Sequence, residues 1–316
     1  KPTRSWCSDD AVSGHRWPWP RAIPQGNAPL NFEQTVLANE PAIRLGFFLG
    51  VFAVIGFWEV LAPRRLLTVS KALRWTSNLG LVVLDTVLLR LIFPLAGVGL
   101  ADFCAKNGWG ILNHFQVPFW VAVPLAVIAL DFVIWLQHVM VHAVPLLWRL
   151  HRVHHADLDY DVTTGARFHP LEIVLSMLIK LATIVVLGPP VVAVVIFEVL
   201  LNATAMFNHG NIGLPARLDR ILRWVVVTPD MHRVHHSIED DETNSNFGFN
   251  LPWWDRLFGT YRDQPRAGQT GMTIGIRDHG DPREVSRLDG MLLLPFQGEV
   301  KDYAINRRNF DAGQAR

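Results

Sequence analysis

Thirteen histidines are spread over this 316-residue chain, and eight of them stand in three groups whose spacing suits a metal site. Two groups repeat the same five residues, His-Arg-Val-His-His, at 151–155 and again at 232–236. On a helix, positions i, i+3 and i+4 fall on one face, so each repeat points three imidazoles the same way. The third group, His138 and His142, has the spacing of two ligands one helical turn apart. Neutral imidazole is the commonest metal ligand, and eight exceed what one ion can bind, so the sequence predicts a site for two metals.

Three histidines stand alone and support a different interpretation: His15, His114 and His279. An isolated histidine is more often a satisfied core or interface side chain than a ligand. The grouped histidines do not fit that alternative, because packing eight imidazoles without a metal would leave many polar nitrogens unpaired. Imidazole suits iron, zinc, copper and nickel alike, so the ligand type does not name the metal.

The composition indicates a membrane protein. Hydrophobic residues make up 50% of the chain and charged residues only 18%, against about a quarter in soluble domains. The net charge of +1 and the lack of a basic tract favour no nucleic-acid partner. Two cysteines, Cys7 and Cys104, are too few for a disulfide framework or a cysteine metal site.

Apolar stretches of spanning length predict an all-α integral membrane fold with about four transmembrane helices and a helical cap that holds the dimetal site. Three stretches, 45–62, 79–100 and 117–136, are each long enough to cross a bilayer. The block 171–207 is interrupted by Gly188-Pro189-Pro190, which should turn the chain. It is either a pair of short spans or a buried, half-inserted hairpin.

Positive charge predicts which face carries the histidines. The segment between the first two stretches has four basic residues: Arg64, Arg65, Lys71 and Arg74. The segment between the second and third stretches has only Lys106. The positive-inside rule therefore puts the first connection in the cytoplasm. If the spans are counted from that connection, each of the three histidine groups is predicted to lie at the same cytoplasmic face.

These features divide the chain into four segments. We expect an irregular tail over 1–43, without the charged start and apolar run of a signal peptide. Transmembrane helices follow over 44–130, the metal-binding domain over 131–262, and a cytoplasmic C-terminal segment over 263–316.

The motifs between residues 131 and 262 resemble those of the fatty acid hydroxylase and sterol desaturase superfamily of membrane di-iron enzymes, in its bacterial sterol desaturase-like form. The resemblance rests on Asp131, the His138–His142 pair, the two His-Arg-Val-His-His repeats, Arg167-Phe168-His169-Pro170-Leu171-Glu172, Phe207-Asn208-His209-Gly210-Asn211, Thr228-Pro229-Asp230, Asn246-Phe247-Gly248 and the run from Trp254 to Tyr261.

The resemblance implies a set of iron ligands. Carried over position by position, it comprises His138, His142, His151, His154, His155, His209, His232, His235 and His236. His169 is a further candidate, as a ligand, as a donor behind a ligand or as a helix-end residue. Some hydroxylases of this family have another histidine four residues before the one that matches His209, and here that position is Ala205. The resemblance therefore implies nine histidine ligands, or a site completed by His169 or water.

The resemblance also implies a reaction: two iron ions activate O2 so that a C–H bond of a lipid is hydroxylated or desaturated. No His-Pro-Gly-Gly or nucleotide-binding glycine motif is present, so electrons should come from a separate ferredoxin or cytochrome-type donor with its reductase. Asp131 and Asp230 are the best candidates to orient ligand imidazoles through their second nitrogen. Other candidates for that role are Asp157, Asp240, Asn246 and Asp255.

Two other functions remain open from the residues alone. A membrane metal transporter would carry ionisable residues along several spans, whereas here the histidines gather at one face. A non-catalytic scaffold holding structural zinc would have lost ligands, whereas all three histidine groups are complete.

Overall fold

The computed structural model describes residues 30–300, and all its regular elements are helices. Within that range the only strand-like pairings are two isolated bridges, Ser237 with Ile274 and Ile276 with His279. The helices are α1 Leu30–Leu61, α2 Lys71–Ile92, α3 Ala96–Asn107, α4 Ile111–His114, α5 Phe119–Ala143, α6 Pro145–His155, α7 Pro170–Leu187, α8 Val191–Asn208, α9 Ala216–Leu222, α10 Pro229–His235, α11 Asp240–Thr243, α12 Trp253–Leu257, α13 Gly268–Gly271, α14 Pro282–Ser286 and α15 Leu288–Leu293, with 3-10 turns at Thr164–Ala166 and Leu294–Phe296.

Five helical segments are long and apolar enough to cross a membrane: Phe32–Leu61, Lys71–His114, Phe119–Ala143, Pro170–Leu187 and Val191–Asn208. Large apolar side chains on their outer faces are exposed, Phe57 and Val83 among them, which is the pattern expected of a surface that meets lipid. The described chain is thus all-helical with five candidate spans, which supports a multi-pass membrane protein. The sequence led us to expect about four, and the exact number of spans remains a prediction.

The first helix begins earlier than the sequence suggested. Residues expected to end an irregular tail at position 43 belong to α1, which starts at Leu30. Pro41 interrupts the apolar pattern there, yet Val36, Leu37 and Ile43 pack against the central apolar cluster, and this packing favours the helix. Residues 1–29, with Cys7 and His15, lie outside the described range, as do residues 301–316 of the expected C-terminal segment.

The block 171–207 folds as two separate helices, α7 and α8, joined by the predicted Gly-Pro-Pro turn. Gly188 adopts a left-handed backbone (φ 61°) that ends α7. A Cβ on Gly188 would lie 2.1 Å from the carbonyl oxygen of Trp109, so only glycine fits where this turn meets the α3–α4 connection.

Five helix ends meet on one side of the molecule, and this side carries the histidines. The connection after α1 touches the chain after α8, because the Arg64 N–H donates to the Asn211 carbonyl at 2.8 Å. The same connection touches the chain after α6, where Asp159 accepts from the Thr68 and Val69 amides at 2.8–3.0 Å. On the same side, α5 and α7 contact α6, and α8 contacts α10, so these helices come within reach of a common site.

Candidate metal centre

Nine buried histidines converge at this end of the helices and form two groups. In each group the nitrogens that could serve as ligands all lie within 4.8 Å of one another. The five-histidine group consists of His138, His142, His151, His155 and His235, and the four-histidine group consists of His154, His209, His232 and His236. All nine side chains are buried, with exposed fractions of 0–3%.

Each His-Arg-Val-His-His repeat contributes to both groups. On a helix, residues i and i+4 are separated by about 40° around the axis and residue i+3 lies about 60° to the other side. The i, i+4 pair of the first repeat therefore enters the five-histidine group, whereas His154 turns to the four-histidine group. The second repeat does the reverse: its i, i+4 pair enters the four-histidine group and His235 crosses over. Each repeat thus supplies histidines to both groups and connects one group to the other.

The outer ring nitrogen of several of these histidines is fixed by a backbone carbonyl. The Nδ1 atoms of His138, His154, His209 and His235 lie 2.7–3.3 Å from the carbonyl oxygens of Phe247, Arg167, Ala205 and Ser245 respectively. A carbonyl oxygen can only accept a hydrogen bond, so Nδ1 must carry the proton. In a neutral imidazole the inner nitrogen, Nε2, then bears a lone pair.

Glu172 fixes a fifth ring in the same way. Its Oε1 lies 2.6 Å from Nδ1 of His151, and both side chains are buried. Glu172 stands in the first turn of α7, where the short loop after the 3-10 turn brings it beside α6. A carboxylate behind a histidine ligand orients the ring and makes it a stronger donor to a metal.

The inner nitrogens face one another at distances that demand a cation. Nε2 of His138 lies 3.0 Å from Nε2 of His235 and 3.1 Å from Nε2 of His151. All three Nδ1 atoms carry protons, so three lone pairs point at the same space and repel one another unless a cation lies among them. Metal–imidazole bonds of about 2.0–2.1 Å place adjacent ligand nitrogens about 3 Å apart, so the residues present fit a metal ion.

The four-histidine group shows the same arrangement. Nε2 of His209 lies 3.2 Å from Nε2 of His154 and 3.2 Å from Nε2 of His236. Nε2 of His232 is buried and has no hydrogen-bond partner among the described residues, which leaves it available to an ion. A second metal would satisfy this nitrogen and separate the facing lone pairs.

Burial keeps six of the nine rings neutral. It lowers the pKa values of five histidines outside the apolar helices well below the usual range: His154, His155, His232, His235 and His236. Burial likewise lowers the pKa of His209 to about 3, although its hydrogen bond to Ala205 acts in the opposite direction. Neutral imidazole is the form that binds a metal, so the site is ready to bind at physiological pH.

A charge network beneath the site holds the loop between α6 and α7. Arg74 donates from Nε and Nη2 to both oxygens of Asp157 at 2.7 Å and from Nη1 to Asp161. Burial alone would raise the pKa of Asp157, but the guanidinium groups of Arg74 and Arg167 outweigh it and hold that pKa at about 2. The network is buried, and it fixes the loop whose Arg167 carbonyl accepts from His154.

The structure does not bring His169 into either group. Its Nδ1 accepts from the Leu171 amide at 3.2 Å, which makes it the N-cap of α7, and its Nε2 lies 3.3 Å from the Leu292 carbonyl oxygen. Both ring nitrogens therefore contact backbone groups. Of the three roles that the sequence left open for His169, its placement is that of a helix-end residue.

Asp131 and Asp230, the two carboxylates that the sequence favoured as imidazole partners, bind other side chains. Asp131 accepts from the indole of Trp254 at 2.8 Å. Asp230 pairs with Arg233 at 2.5 Å and with Arg64 at 3.1 Å. Neither carboxylate therefore contacts a histidine ring in these hydrogen bonds. Asp131 holds α12 against α5, and Asp230 stabilises the start of α10.

Two of the other polar candidates hold the backbone around the clustered histidines. Asp255 accepts from the amides of Phe247 and Gly248 at 2.9 and 2.8 Å, and so fixes the carbonyl that His138 uses. The Asn246 side chain donates to the carbonyl of Met231, next to His232, at 2.9 Å. Two of the isolated histidines fall within the described residues and stay apart from the groups: His279 pairs with Glu284 at 2.9 Å, and His114 is exposed.

Comparison with known proteins agrees with this geometry. The sequence model of the fatty acid hydroxylase family matches residues 123–260, a range that contains all nine converging histidines. Residues 123–260 are thus similar to the fatty acid hydroxylase family. The resemblance inferred from the histidine motifs is thereby confirmed.

Three curated proteins are similar to this chain. Ornithine lipid hydroxylase OlsE of Rhizobium tropici is 30% identical over 166 residues, which cover 51% of this chain and 49% of that protein. Alkylglycerol monooxygenase of Xenopus tropicalis is 31% identical over 157 residues, covering 48% of this chain and 33% of that protein. Methylsterol monooxygenase 2-2 of Arabidopsis thaliana is 26% identical over 192 residues, covering 58% of this chain and 68% of that protein.

The matched region is thus about half of the bacterial relative and a third of the Xenopus relative. No solved structure gives a significant match to this chain.

Proposed function

We propose that this protein is a membrane-bound oxygenase that uses two iron ions, O2 and external electrons to hydroxylate or desaturate a lipid. The observation that carries the proposal is the convergence of nine buried imidazoles in two groups, with ring nitrogens that face one another. The family match supports it, as do relatives named as lipid hydroxylases and monooxygenases.

We propose that each histidine group binds one of the two ions. The five-histidine group would hold one iron and the four-histidine group the other. Ferrous iron bound there would supply the reducing power that activates O2 toward an unactivated C–H bond. The protein residues fix the rings: carbonyls hold four of them by Nδ1, and Glu172 holds His151.

The balance of the reaction requires an electron donor. Hydroxylation converts one C–H bond and one O2 into an alcohol and one water, and it consumes two electrons and two protons. Desaturation of a C–C bond consumes the same two electrons and two protons and yields two waters. We propose a separate ferredoxin or cytochrome-type donor with its reductase, which would act at the cytoplasmic face.

An apolar wall on the membrane side of the site supports a lipid substrate. The ring of Phe168 lies 4.6 Å from that of His154, and the ring of Phe249 lies 4.9 Å from that of His138. Both phenylalanines pack into the largest apolar cluster, formed by α3, α5, α7 and α8. We propose that the hydrocarbon chain of the substrate approaches the metal site from the side of this apolar cluster.

Loading the protein with different metals tests the proposal. Chelator-treated protein reloaded with ferrous iron should convert membrane lipids when O2 and a chemical reductant are supplied, because iron can cycle between oxidation states. The same protein reloaded with zinc should bind about as many ions but form no product, since zinc has no redox chemistry. Mass spectrometry of the lipids reads the result: one added oxygen indicates hydroxylation, and two lost hydrogens indicate desaturation. Equal, metal-independent product in both samples would refute the di-iron assignment.

Replacing Glu172 tests the carboxylate behind His151. Glu172→Leu removes the acceptor for Nδ1 of His151, and we expect roughly 10–100-fold weaker metal binding. Glu172→Gln is the matched control, because its amide oxygen can still accept and only the charge is lost, so it should retain more metal. The metal that each variant retains after dialysis against increasing chelator concentrations measures its metal affinity. Wild-type retention in Glu172→Leu would show that this hydrogen bond does not support the site.

A further inference from the structure

A polar cavity of about 550 Å³ lies beside the metal-bearing domain, where two apolar helices end. Arg64, three residues after α1, and Leu214, six residues after α8, are among its lining residues. The volume is within the ~300–1,000 Å³ range typical of small-molecule sites. Its place at the ends of two candidate spans puts the cavity at the level of the lipid headgroups.

An apolar platform adjoins this cavity. We define it as the exposed side chains of α9, α12 and the residues after each: Leu218, Ile221, Trp224, Leu257 and Phe258 are 44–70% exposed. The two segments are held together, since the indole of Trp253 donates to the Trp224 carbonyl at 2.7 Å and Arg256 donates to the Arg223 carbonyl at 3.1 Å. None of the platform lies in a candidate span.

Short helices with exposed apolar and aromatic side chains beside arginines are typical of segments that lie in the membrane interface. The platform would thus rest in the acyl region just below the headgroups, and the cavity would open at headgroup level.

The charges lining the cavity favour an anion. Four arginines and three aspartates line it. Arg223 pairs with Asp219 at 2.7 Å and with Asp263 at 2.8 Å, and Arg64 pairs with Asp230. These contacts engage all three carboxylates.

Two arginines are left without a carboxylate partner among the described residues. Arg256 is held between the rings of Trp224 and Tyr261, at 4.0 and 3.9 Å from their centroids. Arg220 is exposed at the cavity's edge. The cavity therefore offers uncompensated positive charge, and an anion would bind there.

We propose that this cavity binds the phosphate of an anionic phospholipid whose acyl chains lie along the platform. Arg220 supplies the accessible charge, and Arg256, ordered by its two aromatic neighbours, supplies the second. The cavity shares Asp230 with α10, so the bound headgroup lies on the outer side of the helix that carries His232. This goes beyond the oxidation proposed above and does not depend on it.

Lipid binding to the purified, detergent-solubilised protein tests the proposal by native mass spectrometry. The intact protein should bind phosphatidylglycerol in preference to diacylglycerol, which has the same chains and no phosphate. Arg220→Gln should bind phosphatidylglycerol about fivefold more weakly, the effect of one basic residue near an anionic headgroup. Arg220→Lys keeps the charge and should bind like the intact protein.

Arg283→Gln is the control, because Arg283 is also exposed but lies in α14, outside the cavity lining. It should bind phosphatidylglycerol as the intact protein does. Unchanged binding in Arg220→Gln, or the same loss in Arg283→Gln, would overturn the proposal. Displacement of the lipid by millimolar inorganic phosphate would also overturn it, because the cavity would then be a site for a soluble anion.

Discussion

Replacing His235 with alanine should abolish lipid oxidation and lower the metal content, while the protein still inserts into the membrane. Nε2 of His235 lies 3.0 Å from that of His138, and its Nδ1 is fixed by the Ser245 carbonyl at 2.7 Å. Loss of a hydrogen bond behind a ligand alone costs roughly 10–100-fold in metal affinity or activity, so loss of the ligand should cost at least about a hundredfold. Iron per purified chain and oxidised lipid in the producing cells measure the effect.

His154→Ala makes the same test on the four-histidine group. Its Nε2 lies 3.2 Å from that of His209, so we expect equal loss of activity with the loss of metal falling on the other group. His279→Ala is the matched control: His279 is buried too, but it pairs with Glu284 and lies outside both groups. It should keep its metal and its activity. Full activity in His235→Ala, or an equal loss in His279→Ala, would contradict the ligand assignment.

The sequence predicted which histidines come together but not how they divide. Motif spacing and the family resemblance singled out all nine residues of the two groups, including His209, which lies outside the repeats. The division between groups depends on where each helix points its i+3 residue, and that depends on how α6 packs against α5 and how α10 packs against α8. Neither repeat shows by itself that His154 and His235 cross to the opposite group.

The sequence did not predict the groups that accept hydrogen bonds from the outer ring nitrogens of these histidines. We expected carboxylates close in sequence to the histidines, such as Asp131 and Asp230, to accept from ligand rings. Backbone carbonyls fill four of these positions, and no sequence pattern marks a carbonyl. Glu172 lies 21 residues from His151, in the first turn of a helix, where an acidic residue is usually explained by the helix dipole. Its position in the Arg-Phe-His-Pro-Leu-Glu block was the available signal.

The sequence predicted where the apolar helices lie along the chain but not the residues at which they begin and end. Apolar length located every candidate span, since burial in lipid requires about 20 apolar residues whatever the tertiary structure. The ends depended on contacts that length does not reveal. For example, α5 continues beyond residue 136 to Ala143, because His138 and His142 belong to its last turns and are buried among the other clustered histidines. A polar residue ends an apolar stretch in sequence but need not end a helix.

Replacing Arg74 with methionine should destabilise the protein more than any change outside the metal ligands that we consider. The side chains of Arg74, Asp157 and Asp161 are 0–1% exposed, so the variant leaves two carboxylates in the interior without their main partner. Removing one member of a buried ion pair typically costs about 3–5 kcal/mol. Arg74 also joins α2 to the loop whose Arg167 carbonyl orients His154, and the metal content should therefore fall together with stability.

Thermal unfolding of the detergent-solubilised protein, with and without added iron, would measure this effect. Arg287→Met is the comparison, because Arg287 and Asp289 form an ion pair whose side chains are 58% and 66% exposed, and water screens such a pair so that it contributes little to stability. A midpoint far below that of Arg287→Met, partly restored by iron, is the expected result for Arg74→Met. Iron should help because an ion that binds only the folded state shifts the equilibrium toward it. Equal midpoints in the two variants would show that the network does not support the metal-bearing loop.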